Sequence, residues 1–284
     1  PPRTAPHHRG GRDPHPGLMA FDWRSADAAE VDREYSPSRF SKRPLEEYLR
    51  EYAELSAPFA GTDTVVPGRP LLIYVHGGYW QRLSAADSLF NAADAAALGV
   101  SLHAVEYTLA PAATVEKIVG ECIADIITVL DRARAPRVVL AGCSAGAHLV
   151  AMCTMAGELA GSVDSAVLLS GIYDLRPIVR TPTNDPLGLD EPRAVALSPL
   201  LLPLERFAPR AMVAVGGHES SEFIRQTADF AARLEGAGVD VDHVVVADRD
   251  HFDLPYDLLR RGTAVGDHVL SVLTGGDYVG GGSA

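Results

Sequence analysis

Cysteine is scarce in this chain, with three residues, Cys122, Cys143 and Cys153, among 284. Set in apolar or small-residue stretches, three thiols make no disulfide framework and read as buried groups of a reducing compartment. Long apolar runs are missing too. No stretch approaches the roughly 18 consecutive apolar residues of a membrane span, and the N-terminus lacks a signal-peptide core. A cytoplasmic location is expected. Positive charge is in deficit, with 25 Lys and Arg against 37 Asp and Glu and a net charge of -12. Nucleic acid and anionic membrane, which need a cationic face, are thereby excluded as main partners. Metal-ligand spacing is absent as well. His7, His8 and His15 lie in a leader rich in Pro, Arg and Gly with no Cys or acidic cluster beside them, so a disordered tail is expected there rather than a metal site.

What is present is an ordinary globular composition, 47% hydrophobic and 22% charged. Leu45, Tyr48, Leu49, Tyr52 and Leu55 are spaced as one face of a helix in an N-terminal arm. From Leu71 onward, short continuous apolar runs alternate with helical patterns. Strands are expected at 71–76, 100–107, 137–141, 165–169, 211–215 and 239–247, with helices at 84–98 (capped by Ser84), 115–133, 147–159, 220–234 and 254–273. This alternation predicts a mostly parallel sheet with helices on both faces. The expected organisation is a disordered leader at 1–21, one domain over 22–274 containing a lid-like region at 172–206, and a flexible tail at 275–284.

The segment Gly142-Cys143-Ser144-Ala145-Gly146 matches G-x-S-x-G, preceded by an apolar run and followed by a helix-compatible segment. In that context it reads as a nucleophile elbow, whose apex is strained and whose neighbours must be small. The alternative is a plain glycine-rich strand-to-helix turn. A serine hydroxyl needs a base, and the base needs an acid to orient it. In the α/β-hydrolase order the acid follows the serine and the histidine comes last. His251, in the loop after the last strand, is the candidate base, whereas His148, His243 and His268 fall inside regular elements and suit structural roles. Glu219, in the loop after 211–215, is the candidate acid, with Glu222 as runner-up and Asp253 also to be tested. Gly77 and Gly78, after the 71–76 strand, and Ala145 can offer backbone N–H groups to an oxyanion. His76 suits a bracing role. Tyr79 and Trp80 fit equally well as core aromatics or as a stacking surface for a flat substrate.

Several stretches resemble one family. His76-Gly77-Gly78-Tyr79-Trp80-Gln81, the elbow GCSAGAHL, Ser170-Gly171-Ile172-Tyr173-Asp174-Leu175, Ser198-Pro199, Gly216 to Phe223 and Asp250-His251-Phe252 are similar to the kynurenine formamidases (arylformamidases), hormone-sensitive-lipase-like α/β-hydrolases. Tyr35-Ser36-Pro37-Ser38 resembles them too, and the likeness runs from about Glu30 to Leu273. It implies an α/β-hydrolase fold, cleavage of an aryl formamide such as N-formylkynurenine by a Ser-His-Glu triad, a small aromatic substrate and no cofactor or metal. A homodimer is left open. Two features depart from the family pattern. Glu219 stands where an aspartate is usual, and the stretch from Pro37 to Leu71 is helical where the first β-hairpin belongs, so a reduced or rebuilt N-terminal sheet edge is expected. An esterase or amidase for another aromatic acyl compound, or an idle hydrolase fold serving as a binding module, are the competing readings.

Overall fold

A computed structural model of the chain describes residues 21–276. The expected leader and tail therefore lie outside the described residues, apart from Phe21, Gly275 and Gly276; Phe21 packs against the core. Six strands, β1 (Leu71–Val75), β2 (Ser101–Val105), β3 (Val138–Cys143), β4 (Ser165–Leu169), β5 (Arg210–His218) and β6 (Asp240–Asp250), form one sheet in the order β2-β1-β3-β4-β5-β6. Every neighbouring pair is parallel. The four strands at the centre of that order, β1, β3, β4 and β5, are the ones with near-unbroken apolar runs, because side chains on both of their faces are covered.

Helices cover both faces. Leu71, Ile73, Leu140, Leu168 and Val213 point into one core with Ile118 and Ile126 of α4 (Val115–Ala133), Leu149 of α5 (Ala145–Ala156) and Phe230 of α7 (Ser221–Gly236). The alternate strand residues Leu72, Val139, Val167 and Met212 point into a second core with Ala95 of α3 (Ala92–Leu98) and Val269 of α8 (Ala264–Thr274). In front of the sheet, α1 (Ala28–Glu34) starts on a capping box between Asp27 and Glu30, and α2 (Leu45–Ser56) follows. No strand is present among the described residues before Leu71, and the stretch from Pro37 to Leu71 holds α2 and short 3-10 turns in place of a hairpin. Nor is any helix among them long and apolar enough to cross a membrane.

The helix expected from Ser84 to Leu98 is broken. Ser84 caps only a short turn by bonding Asp87, and the chain reopens at Leu89 to Asn91, where the buried Asn91 amide donates to the Pro255 carbonyl at 3.0 Å. The closing helix is likewise split, into a 3-10 segment at Leu254–Leu259 and α8. The irregular 172–206 region contains a one-and-a-half-turn helix, α6 (Glu191–Ala196), capped by Asp190. On α2 the inward residues are Tyr48, Tyr52 and Ser56, and Leu55 turns to solvent.

Candidate active site

Ser144 sits at the junction of β3 and α5 with φ 58 and ψ -123, a conformation outside the ordinary regions for an L-residue. Strain of this kind costs roughly 1–3 kcal/mol and persists only where the surroundings impose it. They do so here through close backbone approach. A Cβ on Gly142 would lie 2.4 Å from the Gly146 carbonyl oxygen, and one on Gly146 would lie 2.0 Å from that of Val75. The serine N–H also continues the sheet ladder, donating to the Leu169 carbonyl at 2.8 Å.

Sheet register brings the candidate acid to the candidate base. β5 and β6 pair regularly to Gly216↔Val246, pass an irregularity, and resume at His218↔Asp250, which makes Glu219 and His251 the next residues on adjacent chains. The irregularity needs glycine, because a Cβ on Gly216 would meet the Arg249 carbonyl oxygen at 2.5 Å and one on Gly217 that of Ala247 at 2.6 Å. His251 Nδ1 then lies 2.7 Å from Glu219 Oε2, with both side chains buried. The other oxygen of Glu219 accepts from the Ser170 hydroxyl at 2.6 Å and the Gly216 N–H at 2.7 Å. Glu222 is engaged elsewhere, with Tyr35 and Arg225, and Asp253 takes the Asp250 N–H and the Lys42 ammonium.

The loop after β1 approaches the serine closely. A Cβ on Gly77 would fall 3.2 Å from Ser144 Cβ, and Gly78 has a φ of 92. The N–H groups of Gly77 and Gly78 carry no hydrogen bond among the described residues, and Ala145, as the first residue of α5, has an N–H without an intrahelical partner. Behind them His76 stacks on Tyr107 with ring centroids 4.1 Å apart, and burial lowers its pKa to about 4. It is therefore neutral and braces the loop. Of the two aromatics that follow, Tyr79 lines the cavity over Ser144 and donates its hydroxyl to the Tyr35 carbonyl. Trp80 does not line it. Its ring is wholly buried edge-on to His148, centroids 5.0 Å apart, because two successive positive φ values turn it into the core. Of the two roles left open for Trp80, its position is that of a core aromatic.

The cavity has a volume of about 730 Å³ and is lined by Ser144, His251, Gly77 and Gly78, by Tyr52, Tyr74 and Phe252, and by the rim residues Arg82 and Asp185. Its front wall is the N-terminal arm, from Tyr35 to Ser38 and on α2. That wall is tied to the loop carrying His251 through Asp250, whose Oδ2 accepts from the Lys42 N–H at 2.8 Å and the Tyr48 hydroxyl at 2.5 Å, while its Oδ1 accepts from the Phe252 and Asp253 N–H groups. Burial pushes the Asp250 carboxyl pKa up, but these donors hold it below the usual value. The sequence reading gave roles to neither Asp250 nor Ser170. Both fall in stretches that carry the family resemblance, Ser170 directly after the apolar run 165–169 and Asp250 directly before His251.

Hydrogen-bond connectivity alone does not define the site. Ser165 Oγ lies 2.8 Å from His268 Nε2, and His268 Nδ1 lies 2.7 Å from Asp242 Oδ2, a serine, a histidine and a carboxylate joined at the opposite ends of the strands. Ser165 is wholly buried as the first residue of β4, so this second trio staples α8 to the sheet. The trio at Ser144 opens onto a cavity beside unpaired N–H donors.

A parallel sheet that carries a strained serine between strand and helix, with a histidine and a carboxylate at the ends of the last two strands, is α/β-hydrolase architecture. A family model described as alpha/beta hydrolase fold matches residues 72–253. Among solved structures, a thioesterase-type protein from Silicibacter sp. superposes with a TM-score of 0.74 at 24% identity, covering 86% of this chain and 99% of that one. An esterase of the bacterial hormone-sensitive lipase family superposes with a TM-score of 0.62 at 20% identity, covering 87% and 96%. In sequence, the kynurenine formamidase of Danio rerio is 32% identical over 271 residues, spanning 82% of this chain and 92% of that protein. The chain belongs to the α/β-hydrolase fold family and, within it, to the kynurenine formamidase family.

Proposed function

We propose that the chain is a serine hydrolase that cleaves an aryl formamide of the N-formylkynurenine type to the free arylamine and formate. The observation that carries this reading is the 2.7 Å contact between His251 Nδ1 and Glu219, made in the wall of the cavity that also holds Ser144. An imidazole held through Nδ1 has Nε2 free to take the serine proton. The kynurenine formamidase relatives supply the substrate class, and Tyr52, Tyr74 and Phe252 supply an aromatic lining that suits an aryl leaving group.

In this mechanism Ser144 Oγ attacks the formyl carbon as its proton passes to His251. The carbonyl oxygen becomes an oxyanion facing the N–H groups of Gly77, Gly78 and Ala145. His251 then gives the proton to the departing aryl nitrogen, the C–N bond breaks, and a formyl-serine remains. Water, deprotonated by His251, attacks the formyl-serine, and formate leaves as the serine regains its proton. Glu219 balances the imidazolium that forms in both halves.

The test is the Ser144→Ala variant assayed on N-formylkynurenine and on a short aryl ester. Loss of both activities is expected, and hydrolysis at the wild-type rate would remove the serine mechanism. The ratio of the two substrates' kcat/KM in the native enzyme decides between an aryl formamidase and an esterase of the same fold. Labelling of Ser144 by a serine-directed phosphonate separates either from an idle binding module.

A further inference from the structure

We propose that Ser170 is a positioning residue for this reaction, one whose hydroxyl fixes the Glu219 carboxylate against His251 and makes the longer acid workable. The proposal rests on the hydrolase reading above. Ser170 follows β4, which lies in the sheet between the strand leading to Ser144 and the strand leading to Glu219. It is wholly buried, and its Oγ donates to Glu219 Oε1 at 2.6 Å. The Gly216 N–H donates to the same oxygen at 2.7 Å, which leaves Oε2 for His251 Nδ1. With two donors on one oxygen, the carboxylate cannot rotate about its terminal bond without breaking both. Glutamate has one more rotatable bond than aspartate, and this restraint removes the extra freedom.

The backbone gives an independent reason. Ser170 has a φ of 49, in the left-handed region that glycine enters without penalty and other L-residues enter only under constraint. Glycine would suit the position better on stability grounds. What glycine lacks is the hydroxyl, and among the described residues that hydroxyl's hydrogen bond goes to Glu219. Serine here therefore gives up stability for a contact that acts on the acid of the site, the kind of exchange found where strain and function coincide.

The two effects separate in the Ser170→Gly variant. Its thermal midpoint should exceed that of Ser170→Ala, because both lose the hydroxyl's bond and only glycine relieves the strain. Its kcat on an aryl formamide such as formanilide should fall about 10- to 100-fold with KM little changed, as expected for a lost hydrogen bond to a charged group. Ser170→Ala should lose kcat similarly without the relief of strain. In a Glu219→Gln background, neither substitution should reduce kcat further, because Ser170 acts through that carboxylate. Wild-type kcat in Ser170→Gly, or a full additional loss in the Glu219→Gln background, would overturn the assignment. Ser144→Ala distinguishes the two possible failures. Full activity in Ser144→Ala removes the serine mechanism and the Ser170 role with it, whereas an inactive Ser144→Ala beside a fully active Ser170→Gly removes the Ser170 role alone.

Discussion

The Tyr35 hydroxyl donates to Oε1 of Glu222 at 2.8 Å, joining residues 187 positions apart in the chain. Burial pushes the Tyr35 pKa up, as does the Glu222 carboxylate beside it, so the phenol stays protonated and remains a donor at any working pH. Arg225 bonds both oxygens of the same carboxylate. Glu222 is thus a buried anchor for the N-terminal arm, while Glu219, three residues earlier, faces the imidazole.

That division of labour predicts opposite phenotypes for two conservative substitutions. Glu219→Gln should lower kcat by on the order of 10³- to 10⁴-fold, since the amide cannot balance an imidazolium, with the thermal midpoint little changed. Glu222→Gln should keep kcat within a few-fold and lose about 1–3 kcal/mol of stability, because it leaves Arg225 and Tyr35 short of an acceptor. Steady-state kinetics and urea denaturation of the two purified variants check both halves. A fall in kcat for Glu222→Gln matching that of Glu219→Gln would reverse the roles.

Backbone contact at the elbow predicts a steep difference between two glycines. Gly146→Ala would drive a methyl group to 2.0 Å from one backbone carbonyl oxygen and 2.7 Å from another, neither on a flexible side chain. A loss above about 4 kcal/mol, or failure to fold, is expected. Gly120→Ala, in open space on the solvent face of α4, should instead stabilise by about 0.5–1 kcal/mol. Denaturation midpoints give the comparison, and a soluble, wild-type-stable Gly146→Ala would contradict the packing described at Ser144.

Two buried histidines set the acid side of the stability profile. Burial lowers the pKa of His76 and of His148 from 6.5 to about 4, and each accordingly stays neutral in the folded protein. Between those values the unfolded chain binds protons that the native state does not, so the histidine contribution is fully present above about pH 6.5, is lost as pH falls towards 4, and changes no further below. Each imidazole contributes on the order of 3 kcal/mol across the whole window. Midpoints measured from pH 7.5 to 4 should show this decline. His148→Gln, whose amide can still donate to the Leu197 carbonyl, should reduce the slope. An unchanged slope would show that His148 is not held neutral.

The parts legible in the sequence were those governed by local chemistry. Leu71 to Val75 and Ser165 to Leu169 are continuous apolar runs bounded by turn residues, and Val115 to Ala133 runs from its Thr114 cap with an unbroken helical period. The elbow was legible because close backbone approach admits only small residues. What escaped was set by distant contacts. The helix through Leu89 is interrupted by the reach of Asn91 to the Pro255 carbonyl, which no local propensity encodes. Tyr79 and Trp80 are adjacent aromatics, and only the positive φ at both decides which faces the cavity. Its place in the loop after β5 put Glu219 ahead of Glu222 in the sequence, but the contact with His251 comes from the resumed β5–β6 register at His218↔Asp250, a property of two strands together.

The ties between α2 and the His251 loop have a further consequence for how the molecule matures. Tyr48 meets Asp250 and Tyr52 meets the Phe252 carbonyl across about two hundred residues of chain, so α2 leaves the ribosome long before the residues that tie it to the His251 loop. Closing so long a loop is slow compared with forming any local element. Strands β1 to β5 can pair beforehand, but the tie between the cavity's front wall and the His251 loop forms only once synthesis has passed Phe252. A nascent chain halted before Asp250 carries the elbow serine but lacks His251 and the contacts by which Asp250 holds the cavity's front wall.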